Sequence, residues 1–356
     1  MTVVQNVKIK GFKSIAEIDL KLDNMNVIID ANGSGKSNLI GIFRFLQNVL
    51  SKNLQLTVAS EPDRYLHHGK KVTSSLTLHF AVGSNAYGFI LKPSFDTLVF
   101  GTEWADYDGR FYSYQHIAAG QKESKLKDAA LKGRTRISQN TFAKLQSLIV
   151  YRFHDTSNSS PAKQTSAVDD NRALRTDAAN LAAYFYWLQQ KYPTQFRQIE
   201  EHIRLVAPIF ESFVLAPSKL NENRIKLEWR QKGSNAYFDA HSLSDGTLRF
   251  IFLATLLLQP MPPPLIVLDE PELGLHPFAI RVLAKMREAA SNKAQIILAT
   301  QSVTLLNNYP PEAIIVAENN GLKTSFQRLV HSDLAHWLGD FGIGELWEKN
   351  VLGGRP

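Results

Sequence analysis

Seven residues, Asn32-Gly33-Ser34-Gly35-Lys36-Ser37-Asn38, constrain this chain more than any other stretch. They lie between an apolar run ending in Val27, Ile28 and Ile29 and a segment whose Leu39, Ile40, Phe43, Leu46, Val49 and Leu50 recur at helical spacing. Strand, glycine-rich turn, helix is the setting that a phosphate-binding loop requires. Glycines let backbone N–H groups converge on phosphate oxygens, and the helix N-terminus adds positive potential. Lys36 is expected to reach the β- and γ-phosphates of a nucleotide, and Ser37 to ligate Mg²⁺. One position departs from the G-x-x-x-x-G-K-S pattern, because Asp30 stands where the first glycine belongs. A carboxylate about 5 Å from one phosphate charge costs roughly 3 kcal/mol at an effective dielectric of about 20. ATP is therefore expected to bind more weakly than to an Asp30→Gly variant; a side chain turned away, or one that helps hold Mg²⁺, is the alternative.

A second motif, Leu265-Ile266-Val267-Leu268-Asp269-Glu270-Pro271, is a buried apolar strand that delivers two carboxylates at its C-terminal end. Asp269 suits Mg²⁺, directly or through water, and Glu270 suits a general base that polarises an attacking water. A third, Leu243-Ser244-Asp245-Gly246-Thr247, opens a helical run to Leu258. Alone it reads as a helix cap; after a phosphate loop, its hydroxyl and glycine N–H groups read as a second anion cradle.

The rest of the chain bounds the class. The 44% hydrophobic and 21% charged fractions exclude a disordered or fibrous chain, and the absence of cysteine excludes disulfides, Cys-based zinc sites and thiol catalysis. His67, His68, His154 and His276 form no metal-like grouping with carboxylates. The N-terminal residues lack a targeting pattern and the longest apolar run, Phe250 to Leu258, is too short for a bilayer, so a cytoplasmic location with no membrane partner is expected. Forty Lys and Arg against 33 Asp and Glu give +7, which permits an anionic partner without demanding one. Part of that excess is the basic stretch Lys122 to Arg136, which reads as a solvated face and as a candidate DNA contact.

Alternating residues around Leu76, Leu78, Phe80, Tyr87, Phe89, Leu91, Leu98 and Phe100 predict an antiparallel meander over 72–104. A largely helical lobe is expected over 110–240, with an exposed, mobile loop near 155–172 and helices over 177–190 and 194–206. The last third returns to strand and helix alternation, with strands at 265–268 and 295–299 and a helix over 277–291.

These pieces, together with Gly11-Phe12-Lys13-Ser14, Glu272-Leu273-Gly274-Leu275-His276-Pro277, Ala299-Thr300-Gln301-Ser302 and the ending from Gly344, resemble the ABC-type ATPases of the SMC/Rad50/RecF group. More closely, the chain is similar to short AAA-21 predicted ATPases related to the overcoming-lysogenization-defect (OLD) family. The resemblance implies an α/β P-loop NTPase fold: an ABC/SMC-like ATPase head spanning 1–356, with an antiparallel β subdomain and an inserted α-helical lobe. It implies ATP and Mg²⁺ as cofactors, with Lys13, Ser14 and Asn32, Gly33, Ser34, Gly35, Lys36, Ser37 and Asn38 on the nucleotide and Ser37 and Asp269 on the metal. Lys36, Glu270 and Gln301 would be catalytic. A homodimer or higher oligomer would close each ATP with Ser244 and Gly246 of another copy, while Leu273 to His276 communicates across the interface. Gln301 stands where many members carry a switch histidine; an amide donates a hydrogen bond to a γ-phosphate but takes no proton, so slow turnover is expected.

The expected role is an ATP-hydrolysing switch in antiphage defence or DNA transactions. Relatives often act with a Toprim-type nuclease, and the stretch after Glu270 is too short to hold one, so that partner is expected in trans. The alternatives are a RecF-like repair ATPase that binds DNA itself and a nucleotide-binding scaffold with weak turnover. A transporter ATPase is disfavoured, since such subunits lack the Gly11 to Ser14 signature and this insertion.

Overall fold

The structure is a computed structural model that describes residues 4–30, 35–108, 112–133 and 135–353. The chain opens with β1 (Val4–Phe12), β2 (Ile15–Lys21), β3 (Met25–Asp30), α1 (Lys36–Leu50) and α2 (Leu54–Val58). Next come β4 (Leu76–Val82), β5 (Asn85–Ser94), β6 (Thr97–Asp108), β7 (Tyr112–Ala118), α3 (Leu126–Leu131), α4 (Arg136–Gln146) and β8 (Leu148–Val150). The middle holds β9 (Ser166–Ala167), α5 (Leu181–Lys191), α6 (Pro193–Val206), β10 (Phe210–Val214), β11 (Arg224–Ile225), β12 (Glu228–Gln231), β13 (Tyr237–Asp239) and α7 (Asp245–Leu258). The end runs through β14 (Leu265–Asp269), α8 (Pro277–Ser291), β15 (Gln295–Thr300), α9 (Val303–Leu306), β16 (Ile314–Asn319), β17 (Thr324–Arg328), α10 (His331–Leu334) and α11 (Ile343–Glu348).

The chain divides into two compact units: Met1–Val150 with Pro263–Asp269 and Ala294–Pro356, and Tyr151–Pro262 with Glu270–Lys293. Unit one contains two six-stranded sheets, ordered β2-β1-β4-β5-β6-β7 and β17-β16-β3-β15-β14-β8. The first is antiparallel throughout, and its core face shows in the alternation of buried Leu76, Leu78, Phe80 and Val82 along β4. In the second, β16, β3, β15, β14 and β8 run parallel and β17 antiparallel. Its central strands are buried along their whole length, as parallel strands covered on both faces are. Helix α1 lies between the sheets: Phe43 meets Phe80 at 6.1 Å and Phe45 meets Phe12 at 5.7 Å, while the helix also packs on β14 and β8.

One buried side chain stitches the two sheets together. Gln295, at the start of β15, accepts from the Val4 N–H through Oε1 at 2.8 Å and donates through Nε2 to the Val4 and Asp23 carbonyls at 2.8 and 2.9 Å. Gln295→Met fills the space but orphans these backbone groups. A loss of about 2–4 kcal/mol in urea unfolding of the first unit is expected, from the desolvation cost of each buried group left unpaired.

The antiparallel sheet is wider than the meander expected at 72–104, because β1 and β2 join it through β4 and β7 closes its far edge. The second unit begins at Tyr151 rather than near 110, since Leu126, Ala129 and Leu145 of α3 and α4 belong to the core of unit one. The stretch 155–172 is mainly loop, with one helical turn at 161–163 and two strand residues at 166–167. Ser160 is buried, its Oγ donates to the Asp155 carbonyl at 2.8 Å, and Ser166–Ala167 pair with Ile225 and Arg224. Unit two is built on α7, apolar nearly all round from Leu248 to Leu257 and packed against α6 and α8. Phe185, Phe196, Phe210 and Phe213 form its aromatic centre. Among the described residues no helix is long and apolar enough to cross a membrane.

Candidate functional site

In unit one the parallel sheet brings three chain turns to one edge. Strand β15 lies between β3 and β14, with Ala299 beside both Ile28 and Asp269 and Thr300 beside Ile29. Asp30, Asp269 and Thr300 therefore end neighbouring strands at their C-terminal side, where α/β sheets bind ligands. Gln301 follows β15 directly, half-buried, and Ser302 caps α9 by accepting from the Leu305 N–H.

Asn32, Gly33 and Ser34 lie outside the described residues. Gly35 precedes α1 at φ +118, and a Cβ there would stand 2.5 Å from Thr324 Oγ1 and 3.1 Å from Ser14 Oγ, so glycine is required on two counts. Lys36 opens the helix and is 2% exposed, whereas Ser37 is exposed. The loop 13–14 between β1 and β2 reaches the same corner. Ser14 Oγ accepts from Asn38 Nδ2 and from Thr324 Oγ1, both at 2.7 Å. Lys13 lies over the rings of Phe12 and Tyr65, and burial, helped by the charge of Arg44, pulls its ammonium pKa down.

The Asp30 carboxylate turns toward Lys36. Its Oδ2 accepts from the Lys36 backbone N–H at 2.8 Å, and its Oδ1 lies 3.2 Å from Lys36 Nζ. A phosphate-binding loop presents these two donors to phosphate oxygens, so the carboxylate stands in for an anion. Asp269 has a counterpart: Arg44 Nη2 sits 3.2 Å from its Oδ2, a cation beside the carboxylate expected to hold the metal ion. Arg44 lies two turns along α1, and helical side chains lean back toward the N-terminus, which carries its guanidinium toward the loop. The Ser37 hydroxyl and the Asp269 carboxylate are the hard oxygen donors Mg²⁺ takes, and the guanidinium at Asp269 shows that this carboxylate accepts a cation.

Unit two carries the remaining expected residues. Ser244 is exposed and caps α7, its Oγ accepting from the Thr247 N–H at 3.2 Å. A Cβ on Gly246 would meet the Gly274 carbonyl oxygen at 2.6 Å, so the cap and the loop 270–276 are in direct contact. Glu270 holds φ +44, a left-handed conformation that costs a non-glycine residue on the order of 1–2 kcal/mol. Such strain is found at functional turns. His276 caps α8 by accepting from the Phe278 N–H through Nδ1, and Leu273 is exposed.

The residue pattern missed Arg44, Thr324 and Arg249. Thr324 had no local signal. Arg249 had one, a charge inside the apolar run 248–257, since an arginine is almost never buried without partners.

Among curated proteins nothing matches the chain. Many solved chains match, and two of them show the fold. A SmcHead bound to the C-winged helix domain of ScpA is 16% identical, with a TM-score of 0.59, over 94% of this chain and all of that one. The Smc head domain with an extended coiled coil, bound to the C-terminal domain of ScpA from Pyrococcus furiosus, is 14% identical, with a TM-score of 0.61, over 96% and 99%. The fold is thus an α/β P-loop ATPase fold like that of SMC heads, as the motifs implied. Residues 25–307 match the family model described as "AAA domain, putative AbiEii toxin, Type IV TA system", and with most of its length covered the chain belongs to this AAA_21 family of P-loop ATPase domains.

Proposed function

We propose that the chain binds Mg–ATP through the loop ending at Lys36 and Ser37, hydrolyses it slowly and uses the cycle to dimerise and control a partner effector. The observation that supports this reading is the meeting of Lys36, Ser37 and Asp269 at one sheet edge, each charged group already holding a stand-in of the charge it would take. Lys36 then grips the phosphates with its amide and ammonium while Lys13, Ser14 and Asn38 contact the nucleotide beside it. Mg²⁺, held by Ser37 and Asp269, supplies charge neutralisation at the phosphates. Glu270 takes the role of general base, and Gln301 donates an amide hydrogen bond to the γ-phosphate without taking a proton.

The resemblance to OLD-related ATPases supports a role in antiphage defence with a Toprim-type nuclease in trans, and the family description, which names a toxin, is in keeping with it. A cytoplasmic location belongs to the same reading. Direct DNA binding by the stretch Lys122 to Arg136 is the weaker reading, because Asp128 within it already pairs with Lys125 and with Lys52. The Asp30–Lys36 pair favours a second one, a scaffold that binds nucleotide and turns it over weakly.

Sedimentation with and without Mg–ATP tests the switch. A shift from monomer to dimer that Lys36→Ala removes is expected; one unchanged species would overturn it. Mass spectrometry of chains that co-purify from the native host tests the partner, a stoichiometric nuclease being the expected result. Gly246→Ala is expected to lower turnover about tenfold or more and ATP affinity much less, because a Cβ there meets the Gly274 carbonyl of the loop that carries Glu270, whereas Lys36 holds the phosphates. Phosphate release against nucleotide titration separates the two effects.

A further inference from the structure

Arg249 lies on α7 five residues after Ser244 and is 9% exposed. Each of its three guanidinium nitrogens donates to a backbone carbonyl. Nε donates to the Phe153 carbonyl at 3.1 Å, Nη2 to the His154 carbonyl at 3.0 Å, and Nη1 to the Leu273 carbonyl. All four residues belong to unit two. The segment it holds is itself anchored, since Phe153 packs on Phe252 of α7 at 5.4 Å. Burial lowers the guanidinium pKa, opposed by the carboxylates of Asp245 and Glu272, which places two acidic groups of the cap and the loop around it.

Three carbonyls on two separate segments need donors fanned out in one plane. A guanidinium carries five N–H groups in a rigid fork; a lysine ammonium is one point charge on a flexible stem. The loop 270–276 therefore touches the start of α7 at two places: the close approach of Gly246 to the Gly274 carbonyl, and the Arg249 bond to the neighbouring Leu273 carbonyl.

We infer that Arg249 is a positioning residue that ties the loop carrying Glu270 to the Ser244–Gly246 cap, so that a nucleotide engaged at the cap acts on the loop through the Leu273 carbonyl. This rests on the proposed ATP turnover and deepens it by naming the connection between two of its parts. Arg249 touches neither substrate nor metal in this scheme. It sets the backbone from which Glu270 projects, and no charge or proton moves through it.

Phosphate release, ATP titration and thermal melting of the full chain test this with Arg249→Lys, Arg249→Met, Gly246→Ala and the double variant. The expected result is a kcat lower by on the order of tenfold in Arg249→Lys and further in Arg249→Met, with ATP affinity kept within about twofold. Arg249→Lys should keep the wild-type melting transition. Because both sites act on one loop, the double variant should be little slower than the slower single variant. Wild-type kcat in both arginine variants overturns the inference, and so does an Arg249→Lys protein that loses ATP affinity and its melting transition together with kcat, or a double variant with fully multiplicative losses. A wild type without turnover overturns the proposed function instead.

Discussion

Replacing Asp30 with glycine is expected to tighten ATP binding about tenfold or more while lowering the stability of the nucleotide-free protein. The two effects come from one contact. The Asp30 carboxylate bridges the backbone N–H and the ammonium of Lys36, both nearly out of solvent, so incoming phosphate must displace it from its two donors and then tolerate its charge. Repulsion of roughly 3 kcal/mol at about 5 Å bounds the gain near a hundredfold, and the freed Lys36 donors keep it from vanishing. Without ligand the balance reverses. Removing one partner of a buried pair leaves the other charge uncompensated, at a cost of about 3–5 kcal/mol. Nucleotide titration and melting of the two proteins check both halves, and Asp30→Asn, which keeps an acceptor for the Lys36 N–H without the charge, should fall between them. Equal dissociation constants for wild type and Asp30→Gly would show that the carboxylate swings clear before ATP arrives.

Glu270→Gln should lower kcat by about a hundredfold or more, with ATP affinity unchanged. An amide keeps the size and hydrogen-bonding reach of the side chain but accepts no proton, and general-base catalysis contributes roughly 10²–10⁴-fold. Blocked hydrolysis should also prolong the ATP-bound dimer, visible by sedimentation as a larger dimer fraction that persists longer than that of the wild type. Glu270→Gly provides a control. At φ +44 glycine is unstrained, so the turn keeps its backbone conformation in this variant, which should be equally inactive. Turnover that survives both changes would assign the base elsewhere.

The strand and helix that flank residues 31–34, the Asp269 strand and the helix after His276 were legible in sequence because their signals are local. Pro277 at the first helical position and the cap of His276 mark the start of α8, and the run Leu265 to Leu268 is a strand too apolar to lie on a surface. The corner around Ser14 was legible only as a resemblance. Its contacts with Asn38 and Thr324 join residues 24 and 310 positions apart, and no spacing rule encodes that. The 155–172 stretch has the composition of a solvated loop, and composition does not reveal its local contacts. What folds it is a strand partner at Arg224–Ile225 and the buried hydroxyl of Ser160, neither visible as a hydrophobic pattern. Asp30 shows the opposite case. Its departure from the motif was plain, but whether the carboxylate turned toward Lys36, away from it or toward the metal required the structure.

Phosphate release from ATP by the wild type and by Lys36→Ala, measured with Mg²⁺ and with chelator, is the most direct test of ATP turnover at this sheet edge. Saturable, Mg²⁺-dependent release by the wild type, reduced to background in Lys36→Ala, is the predicted result. Equal rates in the two proteins, or no release by either, would contradict it.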